Sequence, residues 1–218
     1  MTRKYYDHEL QNLNNELVEM GGLIENAISH SILALTEKNI DEAEIVEEIE
    51  KKINQKEKDI EAFCLKLILH QQPVAGDLRL ISAALKMITD MERIGDQACD
   101  VAELCKIMSK SSYVHNLEHI IGMVECMKVM VANAITAFIT KDVELALDVC
   151  KSDDIVDDLF IKVQKDMIKL IKDDSLKGEI AFDLMMIAKY FERIGDHATN
   201  IAEWVIFSIT GNHKLTID

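Results

Sequence analysis

One proline and eight glycines in 218 residues leave the chain few places to turn. Sheets and irregular loops draw heavily on those two residue types, whereas long helices do not. Aromatic residues make up only 5% of the chain although 49% of it is hydrophobic, so the core must be built from Leu, Ile, Val, Ala and Met. The five cysteines are odd in number and form no Cys-x-x-Cys pair. Cys64, Cys99 and Cys150 fall inside helical patterns, and reduced thiols are expected. No basic patch stands out. The densest basic stretch, Lys51 to Lys58, is interleaved with Glu50, Glu57 and Asp59, and the formal net charge is −15. Such a chain repels phosphate backbones and anionic lipid, so no nucleic-acid partner is expected. Cations and basic partner surfaces are favoured instead. The N-terminus is polar, with no signal-peptide run. No window approaches about 18 uncharged apolar residues, so no membrane insertion is expected and the protein reads as cytoplasmic.

What remains is long amphipathic periodicity. Helices are expected over residues 6–37, 41–70, 74–109, 114–140, 142–172 and 176–210. Asp41 is read as an N-cap, Pro73 as the break between the second and third helices, and Ser111-Ser112-Tyr113 as a connector. Leu78, Ile81, Leu85, Ile88 and Met91 follow the three-and-four spacing of a buried stripe, as do Ile45, Ile49, Ile53, Ile60 and Leu67.

The six helices fall into two copies of three. Lys38 to Ala43 lines up with Lys141 to Ala146, and Met91-Glu-Arg-Ile-Gly-Asp96 lines up with Phe191-Glu-Arg-Ile-Gly-Asp196. Packing alone would explain matched apolar positions, but not a matched Glu, Arg, Gly and Asp. The expected fold is all-α, two repeated antiparallel three-helix bundles, with repeats at residues 1–110 and 111–218. Separate bundles and one continuous stack remain open.

Helical spacing gathers acids beside the apolar stripes. Glu50, Asn54 and Glu57 flank the second helix, and Glu92, Asp96, Asp100 and Glu103 the third. Asp153 and Asp157 flank the fifth, and Glu192, Asp196, Asn200 and Glu203 the sixth. Carboxylates four residues apart repel unless something positive lies between them. Their oxygens suit Mg, Ca, Mn or Fe. The plainer reading is a solvated helix flank, paired in part with Arg93 and Arg193. Gly95 and Gly195 sit mid-helix in both copies, so something approaches the backbone there: a neighbouring helix, or a bound group. No Glu-x-x-His pair, phosphate loop, nucleophile elbow or zinc-type Cys/His cluster appears, which argues against an enzyme.

At the doubled Glu-Arg-Ile-Gly-Asp of 92–96 and 192–196, the chain resembles the PhoU family. The Gln72-Pro-Val-Ala-Gly-Asp-Leu-Arg79 turn, the lead-in Met20-Gly21-Gly22 and the closing Ile201-Ala202-Glu203 also fit. The resemblance spans nearly the whole chain. It implies two three-helix bundles and a non-enzymatic negative regulator of phosphate uptake and of the phosphate-starvation response. The implied partners are the ATPase of the Pst phosphate ABC transporter, a PhoR-type sensor kinase and a second copy in a homodimer. Some members hold iron or zinc clusters through Glu/Asp-x-x-x-Asp motifs. Iron or zinc is therefore the first metal expectation, and magnesium or manganese the second. Carried over, the ligand positions are Glu50, Asn54, Glu92, Asp96, Asp100 and Glu103, then Asp153, Asp157, Glu192, Asp196, Asn200 and Glu203. Asn54 and Asn200 depart from the fully acidic pattern, and Phe160 stands where the first repeat has Glu57, so the two sites need not be equivalent. A metal-free helical adaptor is the alternative, and a metal-carboxylate enzyme a more distant one.

Overall fold

The structure, a computed structural model, describes residues 3–71, 74–109 and 117–212. The connector at 111–113 and the Gln72-Pro73 turn lie outside the described residues. Six α-helices carry the chain: α1 (Arg3–Glu37), α2 (Ile40–Gln71), α3 (Ala75–Met108), α4 (Glu118–Thr140), α5 (Val143–Asp173) and α6 (Gly178–Thr210). A 3₁₀ turn over Ser175–Lys177 precedes α6, so that helix begins two residues later than its periodicity suggests. Helix α4 begins at Glu118, after the non-helical Leu117, and the expected start at 114 lies outside the described residues. There is no strand among the described residues.

Local chemistry explains the boundaries, and the duplication repeats it. Lys38 and Lys141, 103 residues apart, both adopt left-handed backbone, with φ of 54° and 57°. Each closes one helix, and a polar side chain then opens the next. Asn39 Oδ1 accepts from Asp41 N at 3.0 Å, and its counterpart Asp142 Oδ1 accepts from Leu145 N at 3.0 Å. The cap of α2 is therefore Asn39 rather than Asp41, which lies inside the first turn, where its charge suits the positive end of the helix dipole.

The repeats are not separate bundles. Within each, the three helices pack on one another, but α3 also lies along α6 and α1 along α4. One continuous core results, running from Leu13 and Leu17 through Ile53, Met91 and Ile94 to Phe191, Ile194 and Ile201. Burial of each large aliphatic side chain contributes about 1.5–3 kcal/mol. Asp90 meets Asn200, and Arg79 reaches Gly211, so α3 and α6 run antiparallel and the two helix-hairpin tips point to opposite ends of the body.

Helix α4 carries an 18-residue window with mean hydropathy 1.5, long and apolar enough by composition to cross a membrane. Half of that window is buried inside the protein, with Met123, Met127, Val131 and Phe138 in the core. Its apolar character thus has a use in the bundle.

Candidate functional site

The repeated acids collect in two places, one per repeat. In the first, α2 brings Glu50 and Glu57 to Glu92 and Asp96 of α3. Burial raises the Glu92 carboxyl above its ordinary value, and Asp96, Glu57 and Glu50 push it further, with Arg93 opposing. Burial alone raises Asp96. Asn54 donates an amide hydrogen to Glu50 one turn earlier, while its Oδ1 is buried without a partner. An orphaned carbonyl oxygen among carboxylates is the kind of donor that a hard cation would complete.

In the second place, Asp153 and Asp157 of α5 meet Glu192 and Asp196 of α6. Asp153 is pushed up to about 6, first by burial and then by the charges of Asp196 and Asp157. Asp196 is raised by burial and by Glu192, while Lys189 holds it down. Lys189 bonds to Glu192 and lies 5.4 Å from the centre of the Phe160 ring, the residue standing where the first repeat has Glu57. The second cluster therefore carries its own cation, for which the first has only Thr89 at the equivalent position.

Other predicted residues point elsewhere. Asp100 lies towards α6: burial raises it, Glu103 and Asp96 raise it further, and Arg193 opposes them. Glu103 is exposed. Asn200 donates to Asp90 at 3.2 Å across the α3–α6 interface. Glu203 is near Cys150 and lines a cavity of about 370 Å³ with Lys86, Thr89, Arg93 and Trp204. Among the described residues, no three of His, Cys, Asp and Glu converge closely enough to hold one ion.

Gly95 and Gly195 are where neighbouring helices come close. A Cβ at Gly95 would lie 3.0 Å from Ile53 Cδ1 and 3.2 Å from its Cγ2. At Gly195 it would lie 3.3 Å from Asp153 Oδ1 and 3.4 Å from Val156 Cγ1. Ile53 and Val156 occupy equivalent positions of the two repeats, so each glycine admits the second helix of its own bundle. At Gly195 the glycine also admits one of the acids.

Sequence reasoning missed Asp90, and it placed His197, directly after Asp196, either in the acid site or as a surface or capping residue rather than as the partner of Asp90. Asp90 is 7% exposed, and His197 Nδ1 lies 2.9 Å from its Oδ1. An acid at a buried position of the α3 stripe was the available signal.

Residues 17–105 and 120–205 each match the PhoU domain. The chain belongs to the PhoU family. It is 34% identical over 212 residues to a phosphate-specific transport system accessory protein PhoU homolog of Clostridium acetobutylicum, covering 97% of each chain. The crystal structure of PhoU from Pseudomonas aeruginosa superposes with a TM-score of 0.90 at 32% identity, covering 95% of this chain and all of that one. The phosphate transport system regulatory protein PhoU from Streptococcus pneumoniae gives a TM-score of 0.87 at 26% identity, covering 96% and 99%. The all-α, twice-repeated PhoU architecture expected from the sequence is thus the one found, in a family whose curated members here are named for accessory roles in phosphate transport.

Proposed function

We propose that this chain is a negative regulator of phosphate uptake and of the phosphate-starvation response. It would act on the ATPase of a phosphate-specific ABC transporter and on a PhoR-type sensor kinase, from the cytoplasm and as a homodimer, without catalysing a reaction. Family membership over both repeats carries this reading. Among the described residues, the repeated acids form crowded acidic faces, which suits binding better than turnover.

We propose that these oxygen donors take a hard divalent or trivalent cation by swinging their side chains together, since no three acids converge on one point among the described residues. In the first repeat Glu50, Glu57, Glu92, Asp96 and the Asn54 carbonyl would hold it, and in the second Asp153, Asp157, Glu192 and Asp196. A bound cation would neutralise these carboxylates and offer coordination positions to an anion or to a partner's carboxylate. The side chains themselves supply the switchable quantity. Four acids held near one another are strongly negative when bare, and a basic or an acidic partner surface would sense that difference. Oxygen donors are common to iron, zinc, magnesium and manganese sites, and iron or zinc is proposed first.

The test is a strain carrying Asp96→Asn with Asp196→Asn, alongside elemental analysis of both proteins purified without chelators. Derepressed phosphate uptake at high phosphate and loss of stoichiometric metal together support the proposal. Normal repression by a variant that has lost its metal would remove the metal from the mechanism. Normal repression in a strain lacking the chain altogether would remove the regulatory reading.

A further inference from the structure

We propose that the C-terminal half of α5 and the start of α6 form a docking groove for an acidic amphipathic helix of a protein partner. The inference goes beyond the regulatory reading and does not depend on it.

In a chain of net charge −15, Lys162, Lys165, Lys169 and Lys172 stand at spacings of three, four and three. That spacing puts all four on one helix face, and all are exposed. None is engaged by an acid among the described residues. Of the acids nearby, Asp166 pairs with His119 of α4 at 2.8 Å and Asp174 accepts from Leu176 N; Asp158 and Asp173, four residues from Lys162 and Lys169, are exposed and form no ion pair with them. Like charges at such spacing repel one another, so the free helix gains nothing from them.

Beside this stripe lies an apolar groove of about 240 Å³ between α5 and α6, lined by Met167, Ile168, Ile171, Phe182 and Met185 among others. Phe182 is 65% exposed, and Ile168 and Ile171 are nearly half exposed. A trough with adaptable methionines and an aromatic wall is the form that receives anchors at i, i+3 or i+4, and i+7 of a helix. The lysines border it on the solvent side, so the complementary helix carries acids along the flank beside its anchors.

The duplication supplies an internal control. The positions 103 residues earlier on α2 hold Asp59, Ala62, Lys66 and Leu69. The first repeat folds into the same three-helix unit without the stripe, so the fold does not require it. The apolar positions do recur, with Leu65 and Ile68 opposite Ile168 and Ile171. Only the second repeat combines them with a stripe of four exposed lysines.

The experiment uses the full chain and a fluorescein-labelled peptide of about 18 residues, with leucines at helical i, i+4 and i+7 spacing and glutamates along one flank. Binding is read by fluorescence anisotropy at low and high salt. The expected result is saturable binding that Lys165→Glu with Lys172→Glu weakens at least about tenfold, that Phe182→Ser weakens comparably, and that Lys58→Glu on α2 leaves unchanged. Unchanged thermal melting of the exposed-lysine variant shows that folding is not the cause. The proposal is overturned by no binding below about 1 mM, or by binding that ignores the charge reversals. It is equally overturned if phosphatidylglycerol-containing vesicles bind the stripe while the peptide does not, which would make the surface a lipid contact. A self-association in sedimentation that Phe182→Ser abolishes would assign the groove to a second copy of the chain and also overturn it.

Discussion

The carboxylate of Asp90 on α3 receives His197 of α6 on one oxygen, with Nδ1 at 2.9 Å, and Asn200 donates to the same oxygen at 3.2 Å. This pair crosses the interface that joins the two repeats, and both side chains are nearly buried. Asp90→Ala should lower stability by about 2 kcal/mol, because it leaves two donors unsatisfied in a mostly dry place. Asp90→Asn should cost less. A double-mutant cycle with His197→Ala, read by urea unfolding, should show a coupling above about 0.5 kcal/mol. Additive losses would mean that the two residues act separately.

Two helical glycines should respond to alanine with opposite signs. Gly22 has no atom within 4 Å of a would-be Cβ, so Gly22→Ala should stabilise by about 0.5–1 kcal/mol through helix propensity. Gly95→Ala meets the fully buried, β-branched Ile53 on two of its carbons. That side chain is enclosed on every side, so overpacking of roughly 1–3 kcal/mol should outweigh the propensity gain. Thermal melting of the two variants checks the contrast.

Asp153 sets a pH dependence. Burial, and then the charges of Asp196 and Asp157, push its carboxyl up to about 6 in the folded chain, above the ordinary aspartate value of about 4. The folded state therefore binds more protons than the unfolded state between those values. The stabilising contribution is present below about pH 4 and is lost as pH rises through 6. Asp153→Asn should accordingly stabilise the protein at pH 7.5 by on the order of 1 kcal/mol, discounted for the partial exposure of the carboxyl. The gain should vanish by about pH 4. A gain independent of pH would contradict the charge crowding.

Lys189 should weaken cation binding in the second repeat, because it already neutralises Glu192 and shields Asp196. Titrating Mn²⁺ against melting temperature should show that Lys189→Met tightens binding by about tenfold at low ionic strength. Thr89→Lys should weaken binding in the first repeat, transferring the same inhibition. No change in either variant would place the cation elsewhere.

The cysteines should be slow towards thiol reagents in the native state. Burial pushes Cys64 and Cys105 up to about 12, and burial with nearby acids pushes Cys99 and Cys150 up to about 11. Little thiolate exists at neutral pH. Ellman's reagent should react fully only after denaturation.

Much of this architecture is local, which is why it reads from the chain. Stripe periodicity specifies six helices, and the cap Asp142 and the left-handed Lys141 act within a few residues of themselves. The doubled Glu-Arg-Ile-Gly-Asp motif marks the repeat and the acid pairs, because residues four apart on a helix must be neighbours. Boundaries that depended on a turn's geometry shifted, as at Gly178, where a 3₁₀ turn takes three residues before the helix starts. What only the tertiary structure decided is which helix faces which. The α3–α6 contact turns Asn200 away from the acid cluster to Asp90, and Asp100 towards Arg193. The α2–α3 contact brings Ile53 onto Gly95, and packing leaves four lysines on α5 unengaged by any acid among the described residues. Helical spacing determines the neighbours on one helix, but the approach of two helices is set by packing summed over the whole core, and no short stretch of sequence carries that sum.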